Sequence, residues 1–173
     1  MDVAGIVEVM NAQVPRAVLL YDGLLSVLQK YLGPTLAALP EFSERHQPKG
    51  FYYAGETLEP KGWPVILVGG SITTTEWGVG HADKHAVQVT VAYHVELSRR
   101  EFQDALDIAQ VVRGILWHPE VRGPVANEDG QIIWTSLYPT GLAPVPQGYP
   151  HYSGWIARFD ATQPPGSTLW PTS

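Results

Sequence analysis

The chain has 173 residues, a formal net charge of −6 and no cysteine, and only 16% of its residues are charged. The lack of cysteine excludes disulfides, thiolate metal ligands and a cysteine nucleophile, and the lack of any Lys or Arg run longer than two residues argues against a nucleic-acid-binding surface. The length predicts one domain with its own core. The acidic start and the short apolar stretches predict a soluble protein without a signal peptide.

The N-terminal forty residues predict two helices. Residues 2–14 carry apolar side chains at helical spacing: Val3, Ile6, Val7, Met10 and Val14. Pro15 interrupts this pattern, and because proline is tolerated in a first helical turn, a second helix is expected from there. Gly33–Pro34 is expected to end it. Its broad apolar face indicates burial on two sides, either within one subunit or between its own sheet and a neighbouring subunit.

A long connection and two short strands are predicted next. Residues 33–62 contain several prolines and glycines and are expected to form an irregular loop, which includes three adjacent aromatics in "GFYYAGE". These aromatics fit either a plug at the end of the core or a contact with a partner. "WPVILVGG" (63–70) is typical of a buried strand, and "SITTTEW" (71–77) is expected to pair with it through a Gly-Gly turn.

The clearest pattern is a strand followed by a helix. Residues 85–97 alternate over thirteen positions, which predicts a central strand with one buried and one polar face. Ser98 and Glu101 have the spacing of a capping box, so we expect a helix from Arg99 to about Trp117. Pro119 would stop it. Its predicted core stripe is Phe102, Ala105, Leu106, Ala109, Val112 and Leu116.

The C-terminal third predicts more strands. Asp129–Gly130 is a strong hairpin signal, and the strand after it is expected over residues 131–138. Gly and Pro dominate residues 139–150, which predicts a loop, and residues 152–161 alternate as a last strand.

This order of elements predicts an α+β fold, with a mostly antiparallel sheet, two or three helices on one face and long Pro- and Gly-rich loops. Residues 1–161 are expected to form a single domain that includes the irregular loop, and residues 162–173 an extended C-terminal arm. Leu169 and Trp170 have nothing local to cover them. The arm is therefore expected either to dock on a neighbouring chain or to fold back on its own domain.

Catalytic signatures are scarce. The sequence has no Walker loop, no G-x-S-x-G and no H-E-x-x-H motif. His81, Asp83 and His85 alternate in "GHADKH", so on an extended strand two imidazoles and a carboxylate would share a face and could bind Zn or Fe. No further ligand or base is in register with them. We therefore expect no catalytic residue, cofactor or metal.

The leading helix, the strand "AVQVTVAYHVEL", the capped helix with "ALDIAQVVRGIL" and the closing hairpin resemble, in order and pattern, the tail-terminator or tail-completion proteins of long-tailed bacteriophages and related tail-like particles. The resemblance spans most of residues 1–161 and includes no invariant motif. It implies a structural virion protein of the tail and neck, assembled in the host cytoplasm, that forms a ring, typically a hexamer. Such a ring caps the tail tube, stops its polymerisation and joins it to the neck.

The resemblance also implies partners. These are the tail tube protein and the head-neck proteins, with DNA passing through the lumen without sequence recognition and no membrane involved. The candidate interface residues are Leu20, Leu24, Phe51, Tyr52, Tyr53, Leu169 and Trp170. Two alternatives stay open, namely a head-completion or neck adaptor protein and, in a different class, a metal-dependent hydrolase that uses His81, Asp83 and His85.

Overall fold

A five-stranded sheet with helices on one face organises the chain, and the α+β prediction is confirmed. The computed structural model describes residues 2–56, 58–75 and 82–165, without the side chains of residues 71–75. The helices are α1 (Val3–Gln13), α2 (Ala17–Ala38), α3 (Arg99–Trp117) and α4 (Pro119–Arg122), with a 3₁₀ turn at Glu44–His46. The strands are β1 (Phe51–Tyr53), β2 (Val65–Thr75), β3 (Asp83–Tyr93), β4 (Val125–Ala126), β5 (Ile132–Trp134), β6 (Ser136–Pro144) and β7 (Ser153–Gln163).

The sheet has the strand order β1-β2-β3-β7-β6, in which β1 and β2 are parallel and the other neighbours are antiparallel. β3 lies in the centre, as its alternation predicted, but it ends at Tyr93 rather than at Leu97. β4 and β5 form a separate hairpin. Its turn contains Gly130 at φ +78°, a conformation that glycine adopts without the usual steric cost.

The main core lies between the sheet and two helices. α2 contributes one leucine every four residues, and each is fully buried: Leu20, Leu24, Leu28, Leu32 and Leu36. α3 begins at the predicted capping box, where the Ser98 hydroxyl accepts the Glu101 N–H at 3.2 Å and the Glu101 carboxylate accepts the Ser98 N–H at 3.0 Å. The cap fixes the start of α3, which then packs on β3 and β7.

The predicted stripe of α3 is partly wrong. Phe102 is 39% exposed and Leu106 is half-buried, whereas Ile108 and Asp104 are buried. Asp104 bonds to Arg45 and His46 of the 3₁₀ turn. A buried carboxylate with two partners therefore replaces an apolar residue in the stripe, which apolar periodicity could not show.

The predicted stop at Gly33–Pro34 is also wrong, because α2 continues through both residues to Ala38. Proline in a helix interior removes one backbone hydrogen bond and costs about 3 kcal/mol. Two side-chain hydrogen bonds add contacts in this turn, since Gln47 Nε2 donates to the Gly33 carbonyl at 3.0 Å and the Thr35 hydroxyl donates to the Tyr31 carbonyl at 2.7 Å. The buried Leu36 holds the last turn on the core.

Gly69 and Gly70 do not form the predicted turn. β2 runs through them to Thr75, with a register shift between Gly70 and Ile72. A Cβ added at Gly69 would lie 2.6 Å from the Ala54 Cβ, and one at Gly70 would clash with the Tyr21 hydroxyl. The two glycines therefore provide space for close packing inside a strand rather than a change of direction.

Three predicted boundaries change. The predicted loop 33–62 contains the end of α2, the 3₁₀ turn and β1. β1 is a strand because it pairs with β2. The supposed strand 131–138 is divided into β5 and β6, and β6 continues into the predicted loop 139–150 because it pairs with β7. β7 extends to Gln163, two residues beyond the predicted end of the domain.

The second face of the sheet is not polar throughout. Val65, Leu67 and Ala92 form a small buried cluster on this face. Half-buried side chains from β1 and the flanking loops cover it: Tyr52, Leu58, Trp63 and Tyr152. At this end the sheet is buried on both sides, which the period-two pattern did not predict.

Candidate subunit interface

One buried polar cluster joins the 3₁₀ turn to α3. Asp104 Oδ2 accepts from Arg45 Nε at 3.0 Å, and Asp104 Oδ1 lies 3.1 Å from His46 Nε2. His46 is 2% exposed and Asp104 is 7% exposed. Burial by itself raises the pKa of Asp104, but the hydrogen bonds from Arg45 and His46 outweigh it and hold the pKa below its usual value.

The same cluster has the composition of a Ser-His-Asp triad, because the Ser43 hydroxyl lies 3.4 Å from His46 Nδ1. Its hydrogen bonds differ from those of a catalytic triad. His46 Nδ1 accepts the Ser43 backbone N–H at 2.9 Å, and Arg45 donates to the Ser43 hydroxyl at 3.2 Å. The lone pair that would take a proton from a nucleophile is thus already used in the cap of the 3₁₀ turn. The arrangement fixes this turn on α3.

The proposed metal ligands divide between described and undescribed residues. Asp83 and His85 lie two residues apart in β3, and His81 lies outside the described residues. His85 is 1% exposed, its Nε2 lies 3.1 Å from Gln163 Oε1, and Gln163 Nε2 donates to the Arg16 carbonyl at 2.9 Å. Within the described ranges, no group of three or more His, Asp or Glu side chains is arranged to hold a metal ion. His85 instead connects β3, β7 and the start of α2.

α1 differs from every other long element, because it has no buried residue. Val3 is 75% exposed and Val9 is 53% exposed, although both are apolar. The helix begins properly, since the Asp2 side chain accepts the Gly5 N–H at 2.8 Å. It is therefore a well-capped helix that leaves Val3, Ile6 and Val9 exposed and Met10 half-buried in the single chain. Several exposed apolar side chains on one helix mark a candidate contact site.

A groove of about 880 Å³ lies between the second half of α2 and the end of α3. Its apolar lining is Val27, Tyr31, Leu39, Val111, Ile115, Val121 and Val125. Its polar lining is Ser26, Lys30, Thr35, His118 and Glu120, and the exposed Gly114 of α3 also lines it. Next to it along the chain, the Arg122 guanidinium lies 4.4 Å from the centre of the Trp117 ring, and Trp117 contacts Tyr138.

Several predicted interface residues lie elsewhere. Leu20 and Leu24 are fully buried in the chain's own core, so their predicted contact with a neighbouring subunit is wrong. The reason is that α2 packs against both the sheet and the neighbouring α3 on that face. Phe51, Tyr52 and Tyr53 form β1 and are half-buried, and Leu169 and Trp170 lie outside the described residues.

For the surfaces that the sequence did not predict, one signal is present in it. The apolar spacing in residues 2–14 predicts the helix, but it does not show whether the sheet covers that helix. The groove joins residues from Ser26 to Val125, so it exists only in the folded chain.

No protein-family model matches this chain, and a search of curated proteins found no significant match. Among the described residues, no single helix is long and apolar enough to cross a membrane, while α1 and α2 satisfy that criterion only as a pair bent by 45°.

Proposed function

We propose that the protein is a ring-forming tail terminator of a long-tailed bacteriophage or a related tail-like particle, which caps the tail tube, stops its polymerisation and joins it to the neck. The order of elements supports this proposal, because the leading helix, long central strand, capped helix and closing hairpin occur as the resemblance requires. In this function the chain acts through its surfaces and without a cofactor.

The observation that carries the proposal is the presence of two different apolar surfaces on one chain. One is α1, and the other is the groove between α2 and α3. A closed ring needs heterologous contacts, in which one surface of each subunit meets a different surface of the next. Two separated and unlike surfaces fit this requirement better than a twofold dimer, which needs only one.

The sheet edges add a second line of support. β1 has only three residues, and β6 contains Pro139 and Pro144, which cannot donate to a neighbouring strand. Edges of this kind resist pairing with another chain. Subunits would then meet through helices rather than by extending the sheet, which keeps the assembly closed.

The test is a tube-length assay. The tail tube protein encoded in the same genome is polymerised with and without the purified chain, and tube lengths are measured by negative-stain electron microscopy. We expect added chain to end tube growth and to appear as a ring at one end of each tube. A variant that folds but stays monomeric is the matched control. Unchanged tube lengths and bare tube ends with the intact chain would refute the proposal.

A further inference from the structure

We propose that α1 of one copy of this chain binds in the α2–α3 groove of the next copy, so that the same contact repeats head to tail around the ring. This inference deepens the proposed function, because it names the contact that closes the ring. It is tested separately, since subunit contacts can be measured without a tail tube.

The two surfaces are matched in chemistry. Most large apolar residues of α1 share one stripe, because Val3, Ile6, Val7 and Met10 are spaced by three or four positions, and the exposed Val9 lies at its edge beside Ile6. Val7 and Met10 are half-buried in the single chain, so the exposed part of the stripe is centred on Val3 and Ile6. Glu8 lies on the opposite side of the helix. Of the residues that line the groove only Lys30 and Glu120 carry a formal charge, and their signs are opposite. An uncharged stripe therefore meets a nearly neutral apolar groove, and the polar side of α1 stays in solvent.

The connection between the helices directs α1 away from its own groove. Only residues 14–16 separate α1 from α2, and the two helices are bent by 45°. α1 therefore continues roughly along the line of α2 instead of turning back beside it. The groove is lined by α2 from Ser26 to Leu39, which lies beyond the first two turns of that helix. A second copy can place its α1 there, whereas the same chain would have to reverse its direction.

Gly114 provides an independent observation. It is exposed in the last turn of α3, where glycine still has a lower helix propensity than alanine. Nothing in its own chain requires the small residue, because a Cβ added at Gly114 meets no atom within 4 Å. Gly114 lines the groove. A lining residue without a side chain lets another helix approach the groove closely, so a contact with a second copy would account for glycine at this position.

The size of the contact fits a ring rather than a pair. α1 has 11 residues and is therefore about 16 Å long. One such helix in a groove buries less than the roughly 1,600 Å² of a standard stable interface. In a closed ring each subunit makes the contact twice, once with α1 and once with its groove. Closure then adds stability that an open pair lacks.

The first experiment fills the groove. Gly114→Leu should leave the chain folded, since its Cβ has open space, and should weaken self-association at least tenfold. Gln103→Leu is the matched control, because Gln103 is exposed on the same helix about 16 Å away and outside the groove lining. Association is measured by sedimentation equilibrium, and folding by circular dichroism and the unfolding midpoint.

The second experiment breaks the helix side of the contact. Ile6→Lys/Met10→Lys places two charges on the apolar stripe, and Ala4→Lys/Ala12→Lys places the same charges on exposed positions away from it. Each single-surface variant should fail to form rings on its own. Mixing Gly114→Leu with Ile6→Lys/Met10→Lys should form a one-to-one complex in native mass spectrometry, because each variant retains the surface that the other lacks.

Three results would overturn the inference. The first is assembly that stays intact with Gly114→Leu, the second is an intact chain that stays monomeric up to its solubility limit, and the third is a mixture of the two variants that fails to pair. The last of these would point instead to a twofold contact, to α1 bound within its own chain or to a different protein in the groove. Rings that form as described but leave tail tubes uncapped would refute the proposed function and keep this inference.

Discussion

α1 and α2 are consecutive helices that are both rich in apolar residues, yet they differ in how many of these residues are buried. α2 buries six leucines, whereas α1 buries no residue. The difference lies in what each helix faces. The α2 leucines recur every four residues and meet the sheet and α3, while α1 extends past them after a 45° bend. Apolar content alone therefore does not place a helix in the core.

The comparison also separates two uses of apolar surface. Burial within the chain stabilises the fold by roughly 25 cal/mol per Å² of apolar area. α1 contributes much less of this in the single chain, because Val3, Ile6 and Val9 are exposed and its other large apolar side chains are only half-buried. In our account α2 stabilises the fold of each subunit, and α1 forms the contact between subunits. The following predictions test this division, from the largest expected effect to the smallest.

The largest effect is expected in α2. Leu28→Ala should lower the free energy of unfolding by about 2–5 kcal/mol, because Leu28 is fully buried. Ile6→Ala in α1 should lower it by less than about 0.5 kcal/mol, since Ile6 is 40% exposed and lies outside the core. Urea unfolding of the two variants under dissociating conditions measures both. Equal losses would remove the distinction between the helices.

A smaller effect is expected at Asp104 of α3, which holds the 3₁₀ turn that follows α2. Asp104→Ala should lower the free energy of unfolding by about 1–3 kcal/mol, because it leaves the buried His46 ring without its acceptor. The native pKa of Asp104 is lowered, so the stability it contributes is present above its unfolded value and is lost as pH falls through the native value. The variant should therefore lose part of the acid sensitivity of the parent chain. A parallel pH dependence in both proteins would contradict this role.

The smallest effect is expected at His85 of β3, which is linked through Gln163 to Arg16 between α1 and α2. Burial lowers the pKa of His85, and the hydrogen bond with Gln163 and the charge of Asp83 oppose it only in part. The native ring is thus neutral at a pH where the unfolded chain takes up a proton. Stability that depends on it is present above the unfolded pKa of about 6.5 and declines as pH falls through the lower native value.

His85→Gln removes this titration while keeping a polar side chain near Gln163. We expect the variant to lose less stability than the parent between about pH 8 and pH 5. Unfolding midpoints in urea across that range provide the measurement. A steeper decline in the variant would mean that His85 is charged in the folded chain.

The fold was predictable where local rules and packing agree. The capping box at Ser98 and Glu101 and the alternation in β3 located the central strand and α3, because both signals are local. The glycines at 69 and 70 misled for a physical reason. Their spacing suggested a turn, but the structure uses them for close contacts with Ala54 and Tyr21, which come from distant parts of the chain.

The candidate interface was only half predictable. The α1 stripe is visible in the sequence, whereas the groove depends on how α2 packs beside α3 and on α4 closing its end. The broad apolar face of α2 suggests an interface at Leu20 and Leu24. In the structure this face is broad because it contacts both the sheet and α3. Burial on two sides within one subunit and burial between subunits give the same sequence pattern.

The most direct test of this account compares the mass in solution of the intact chain with that of a chain lacking residues 2–13, by light scattering coupled to size-exclusion chromatography. We predict a closed multi-subunit particle for the intact chain and a folded monomer for the shortened one, with an unchanged unfolding midpoint under dissociating conditions. The same particle mass for both chains, or loss of folding in the shortened chain, would contradict the claim that α1 acts between subunits.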